Sequence, residues 1–197
     1  MIGRVAFAVA RSDLSGALVR WVFGHAAGVL PVRCVRETAR VVAFHHPRPS
    51  VPTHIVLAPQ VGVRGVLAVD DRIVPFVHEA MMVGDEIARR LATPLALVVN
   101  GGASQDVQQL HLHLLSDQGA GLVERETHLE LRPEGSDRDL RDPLGCWEVI
   151  RAAQEEVARL DLVRPGFSLI VAGSVEGLDL SRMHLVSGPR RALGDAA

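Results

Sequence analysis

Within Gln108-Gln109-Leu110-His111-Leu112-His113-Leu114-Leu115, polar and apolar residues alternate from Gln109 to Leu114. A strand sends successive side chains to opposite faces, so Gln109, His111 and His113 share one face and Leu110, Leu112 and Leu114 pack into a core on the other. A different period governs Ile73, Val77, Ala80, Gly84, Ile87 and Leu91, which step by four and three as one helix face does. Cys146, Ile150, Ala153, Val157 and Leu160 repeat those steps. Asp70 or Asp71 is placed to cap the first helix, and Asp142 before Pro143 to cap the second. Each helix is followed by an apolar strand ending in glycine, Leu95 to Gly101 and Phe167 to Gly173. Near the start of the chain, residues 12–28 read as a short amphipathic helix with Ser12 or Asp13 at its beginning and Trp21, Val22 and Phe23 as docking side chains.

These elements recur in order. Thr53-His54-Ile55-Val56-Leu57-Ala58-Pro59 matches Thr127-His128-Leu129-Glu130-Leu131-Arg132-Pro133 at an offset of 127 − 53 = 74. The helix faces match at 146 − 73 = 73, the glycine-ended strands at 173 − 101 = 72, and His111 to Ser116 matches Arg182 to Ser187 at 184 − 113 = 71. Four matched pairs in one order predict a duplication, and small loop deletions account for the drift. The period is too long and the copies too few for a solenoid. The expected architecture is therefore α+β, two related halves joined in one antiparallel sheet with helices, the second half degenerate. The expected division is an N-terminal extension over 1–33, a first half over 34–117, a second over 118–188 and a frayed tail over 189–197. The copies differ where chemistry would sit: His111 faces Arg182 across the repeat, and Asn100 faces Ala172. The first half is thus the expected active half, and Arg182 is read first as a surface or sheet-pairing residue.

Composition narrows the classes. The chain has 197 residues, 48% of them hydrophobic and 22% charged, with a formal net charge of −2. That fits a soluble globular protein and gives no basic face for phosphate-driven nucleic-acid binding. No run approaches the roughly 20 apolar residues of a membrane span. The 2 cysteines, Cys34 and Cys146, are too few for a disulfide framework, so a reducing cytoplasm is expected.

Chemistry concentrates around the alternating strand. Two imidazoles two positions apart on a rigid element, facing away from the core, suit nucleophilic or hydrogen-bonding work at neutral pH. The alternatives are a plain solvent-facing pair, or a shared zinc ion, for which the sequence offers no obvious third ligand. Asn100-Gly101-Gly102 reads both as a turn needing positive backbone angles and as a place where a ligand approaches the main chain. His45 and His46 lie among Pro47, Pro49 and Pro52, either as an exposed turn or as a substrate contact. His54 and His128 occupy matching places in the repeat and are expected to serve structure; His78 sits on the first helix, and Trp147 is expected to pack the second helix into the core.

Three ordered blocks resemble the histidine-triad (HIT) superfamily of nucleotide hydrolases and transferases: Val42 to His54, Asn100-Gly101-Gly102 with Gln105-Asp106-Val107, and Leu110 to Ser116. The second half is similar to the degenerate repeat of tandem members such as galactose-1-phosphate uridylyltransferase-like proteins. The resemblance implies a hydrolase or nucleotidyl transferase acting on a small phosphate ester, anhydride or phosphoramidate, with no cofactor and no metal. His111 would attack phosphorus and carry a nucleotidyl-histidine intermediate; His113 would hydrogen-bond the phosphate or leaving group. Gln105, Gln109, His46 and the Asn100, Gly101 and Gly102 backbone would line the substrate. The alternative is a non-catalytic nucleotide- or protein-binding member that kept the fold. Members are often homodimers, so this chain is expected to be a homodimer or a pseudo-dimeric monomer. It departs from the family pattern at Gln109, where the first triad histidine stands. It departs again at His46 in place of a ribose-binding acid, at Asp106 in place of a small hydroxyl residue, and at Gln60 after Pro59.

Overall fold

A computed structural model describes residues 33–116, 125–135 and 137–190. The segment 12–28, most of the expected N-terminal extension and the end of the tail lie outside the described residues.

Eight strands form one antiparallel sheet: β1 (Cys34–Glu37), β2 (Val41–His45), β3 (His54–Pro59), β4 (Leu95–Gly101), β5 (Leu112–Ser116), β6 (Arg125–Leu131), β7 (Phe167–Val171) and β10 (Met183–Arg190). The two-residue strands β8 (Gly173–Ser174) and β9 (Gly177–Leu178) make a separate small hairpin. The order across the sheet is β1-β2-β3-β5-β4-β7-β10-β6. Two helices, α1 (Val74–Leu91) and α2 (Pro143–Arg159), follow β3 and β6. The α+β architecture matches the sequence reading. Pro189 and Arg190, expected in the frayed tail, continue β10 instead, where Arg190 pairs with Arg125.

The sheet has an unequal pair of faces. Val41, Ala43, Ile55, Leu57, Leu97, Val99, Leu112, Leu114, Leu169 and Leu185 join the buried faces of α1 and α2 in one large core. Strand alternation sends their neighbours to the other side. There, two smaller apolar clusters form, around Val42, Phe44, Val56 and Ala58, and around Ala96, Val98, Ile170 and Val186. The histidines of β3, β5, β6 and β10 share the parity of these smaller clusters, so they lie on the face that the helices leave open.

Strand register places residues at matched repeat offsets in matched positions. Val98 pairs with Ile170, its counterpart at the offset of 170 − 98 = 72, within the β4–β7 contact. His113 pairs with Val98, and His184 with Ile170. His54 pairs with Leu115, and His128 with Val186. His113, Val98, Ile170 and His184 thus stand in one row across four adjacent strands.

The caps divide as their local chemistry dictates. The Asp142 side chain accepts from the Leu144 N–H at 3.0 Å, with Pro143 at the first helical position, as expected. At α1 the expectation fails. Ile73 is the cap residue, with no side-chain cap bond, and Asp70 instead accepts from the Arg72 N–H at 3.1 Å. An intervening turn, in which the Asp70 carbonyl takes the Ile73 and Val74 N–H groups, moves the helix start beyond that aspartate.

Candidate active site

The triad strand begins later than its alternation suggests. β5 starts at Leu112, not at Gln108. Continuing the β3–β5 register would set Leu110 opposite Pro59, which has no N–H to give the Leu110 carbonyl, so the two-bond pair of a ladder cannot form there. The Leu110 N–H goes to the Val63 carbonyl at 2.6 Å instead, and the Gln109 N–H turns back to Val107 at 2.7 Å. Gln109 is therefore not on the open face beside the histidines. It is buried, and its amide Nε2 donates to the Val61 carbonyl at 3.1 Å. Its main chain matters more, because the Gln109 carbonyl lies 2.7 Å from His111 Nδ1. A carbonyl only accepts, so Nδ1 carries the proton and the Nε2 lone pair is left for chemistry.

His111 and His113 do come together, edge to face with ring centroids 4.7 Å apart. Two further imidazoles join them. His54, expected to serve structure, puts Nε2 2.9 Å from His113 Nδ1. His46 stacks flat on His54 with centroids 4.1 Å apart and planes 6° apart. The hydrogen atoms of the inner pair follow from the ends of the chain. The Ser50 N–H donates to His54 Nδ1 at 3.3 Å, so His54 Nδ1 is an acceptor and its Nε2 carries the proton. That proton is given to His113 Nδ1, and His113 in turn presents an Nε2–H.

Burial and neighbouring imidazoles lower the pKa values of His54, His111 and His113. Desolvation, reinforced by His46 and His111, brings His54 down to about 4 from an ordinary 6.5. Desolvation and the neighbouring His111, His54 and His46 bring His113 to about 3. His111 is lowered too, chiefly by desolvation, although its bond to the Gln109 carbonyl and the charge of Asp106 oppose the shift. A neutral His111 is the form with a free lone pair.

The loop after β4 is built by packing. A side chain at Gly101 would overlap the Phe167 ring, and one at Gly102, whose φ is +58°, would overlap the Val163 carbonyl. The Ala103 N–H closes on the same Val163 carbonyl at 3.0 Å. Asn100 accepts from the Ser168 hydroxyl at 2.7 Å, a contact with β7. Gln105 uses its amide Nε2 on the carbonyls of Arg64 at 2.7 Å and Val107 at 2.8 Å. Both of its amide N–H groups are thereby engaged with the main chain. Among the described residues, no group of three or more His, Cys, Asp or Glu side chains is arranged to hold a metal ion. His54 is the residue that sequence reasoning missed. The available signal was its parity with Val56 on a strand adjacent to the triad strand, which puts it within diagonal reach of His113.

A histidine-bearing strand segment backed by helices and flanked by a glycine loop is the arrangement of the histidine-triad class of sites. The HIT domain matches residues 27–120. The chain is 32% identical over 92 residues to a 14 kDa zinc-binding protein of Zea mays, across 44% of this chain and 72% of that one. It is 24% identical over 93 residues to an uncharacterized HIT-like protein of Buchnera aphidicola, across 45% of this chain and 83% of that one. The chain belongs to the HIT family. The galt-like protein of Arabidopsis thaliana shares the fold with a TM-score of 0.55 at 10% identity, over 88% of this chain and 83% of that one. That likeness of fold extends well beyond residues 27–120. Among the described residues, no helix is long and apolar enough to cross a membrane.

Proposed function

We propose that this chain is a HIT-type hydrolase or nucleotidyl transferase that acts on a small phosphate ester, anhydride or phosphoramidate of a nucleoside. The observation that carries this reading is the 2.7 Å contact between His111 Nδ1 and the Gln109 carbonyl. The His111 Nε2 lone pair attacks phosphorus. A P–N bond forms as the bond to the leaving group breaks, and the leaving group departs with the electron pair and takes a proton from solvent. The ring becomes an N-phosphoryl imidazolium whose Nδ1–H still points at the Gln109 carbonyl, which steadies the new positive charge. Water or an acceptor hydroxyl then attacks phosphorus, the P–N electrons return to Nε2, and the attacking oxygen loses its proton to solvent. His113 Nε2–H donates to a phosphoryl oxygen throughout. Main-chain N–H groups of the Asn100–Gly102 loop are the candidates for the other oxygens, and His46 is a candidate contact to the nucleoside side.

Turnover of nucleoside phosphoramidates and dinucleoside polyphosphates tests this. No turnover by the wild type, or equal turnover by His111→Ala, removes the enzymatic reading. The engagement of both Gln105 amide N–H groups with the main chain favours a second reading, a nucleotide-binding protein without turnover. Saturable nucleotide binding with no product would select it.

The same reading takes residues 34–117 and 118–188 as duplicated halves, with chemistry kept in the first. The matched registers and the pairing of Val98 with Ile170 support it. A pseudo-dimeric monomer follows, since the β4–β7 contact joins the halves within one chain. Light scattering at the dimer mass would overturn that assembly.

A further inference from the structure

The second half holds a histidine pair that the proposed reaction does not use. His128 Nε2 lies 3.0 Å from His184 Nδ1, the same two atoms that His54 and His113 bring to 2.9 Å. The ring centroids are 5.1 Å apart in both pairs. In each pair, the contact consumes Nδ1 of the β5 or β10 histidine and leaves its Nε2 for a ligand. His113 and His184 end one row across β5, β4, β7 and β10, three steps of about 4.8 Å each, so they stand ~14 Å apart. One phosphate group cannot touch both.

Two residues before His184, where the first half has His111, stands Arg182. A guanidinium has no lone pair to attack with, but its fork of donors matches an oxyanion. It is pinned rather than loose. Nε donates to Asp179 at 2.7 Å and Nη1 to Glu130 at 3.2 Å, while Arg132 Nε shares Glu130 at 2.7 Å. Asp179 also accepts from the Ser181 hydroxyl at 2.6 Å. The two carboxylates are thus offset by two arginines, and the two bonds use two of the five N–H donors of Arg182. Its side chain is 36% exposed, and neither of these bonds uses the other N–H groups.

We propose that His128, Arg182 and His184 form a separate, non-hydrolytic binding site for an oxyanion of the phosphate class. With the His128 Nε2–H given to His184 Nδ1, His184 supplies its Nε2–H and Arg182 its remaining N–H groups, and no covalent step takes place. The site goes beyond the function proposed above and does not depend on His111 acting as a nucleophile.

Titration of the full chain with inorganic phosphate, followed by the ring signals of individual histidines in NMR, tests this. Saturable movement of the His184 and His128 signals is expected in wild type and in His113→Asn, where the first site is impaired. Arg182→Gln is expected to weaken that response roughly tenfold, with Arg182→Lys between the two, because a lysine keeps charge without the fork. The His113 signals of Arg182→Gln report that the sheet is intact and are expected to stay at their wild-type positions before phosphate is added. Should those signals move, His184→Asn in a His113→Asn background replaces it, with the phosphate response of the His128 signals lost. His184 signals unmoved by phosphate, an equal titration in wild type and Arg182→Gln, or a saturable phosphate response of His128 retained in the His113→Asn, His184→Asn double variant overturns the proposal.

Discussion

His54 Nε2 and His113 Nδ1 meet at 2.9 Å across β3 and β5, and the Ser50 N–H behind His54 decides which atom holds the proton. His54→Phe removes that donor. His113 is then free to take the other tautomer and lose the outward Nε2–H. Turnover is expected to fall about a hundredfold, in the range typical of a misplaced proton-bearing group. The ring nitrogen shifts of His113 would change with it, which a merely structural role for His54 would not require.

Removing the nucleophile is a sharper change. His111→Ala is expected to lower kcat by at least about a thousandfold, since no other group replaces a covalent step. Quenched-flow labelling with a radiolabelled nucleotide would find phosphoryl-enzyme in wild type and none in the variant.

Acid should destabilise this protein through its histidines. His54 and His113 are neutral when folded down to about 4 and about 3, but titrate near 6.5 when unfolded. Below 6.5 the unfolded chain therefore binds protons that the folded chain refuses, and stability falls with pH until the folded values are reached. Well above 6.5 the rings are neutral in both states and contribute no slope. Urea midpoints measured from pH 7.5 to 4.5 should decline below 6.5, and less steeply in a His54→Gln, His113→Gln variant.

In the proposed reaction the depressed His111 also sets the acid limb of the rate. Because its pKa is lowered, the midpoint of the acid limb of kcat/KM should lie below 6.5. A limb centred at 6.5 or above would contradict a buried, neutral nucleophile.

Gly101→Ala places a methyl group where the Phe167 ring sits. The variant should lose about 1–3 kcal/mol of stability, as overpacked cores do. Phe167→Leu in the same chain should recover part of that loss, which a double-mutant cycle by denaturant unfolding measures.

Much of this protein was written locally. The period of Ile73, Val77, Ala80 and Gly84 places α1, and the Asp142-Pro143 pair starts α2, because helix periodicity and capping depend on neighbours within a turn or two. The offsets of 74 to 71 predict the matched registers, since equal patterns of buried and open positions favour equal strand pairing. The alternating histidines announced the open face. What sequence could not decide was where the strand stops alternating. That turned on Pro59, a residue of another strand that has no N–H to pair with. Nor could it place Gln105 and Gln109, whose amides are claimed by carbonyls more than 40 positions away at Arg64 and Val61. His54 joined the site for the same reason. Proton placement among imidazoles depends on which atoms meet across strands, and only the folded sheet brings Ser50, His54 and His113 into one line.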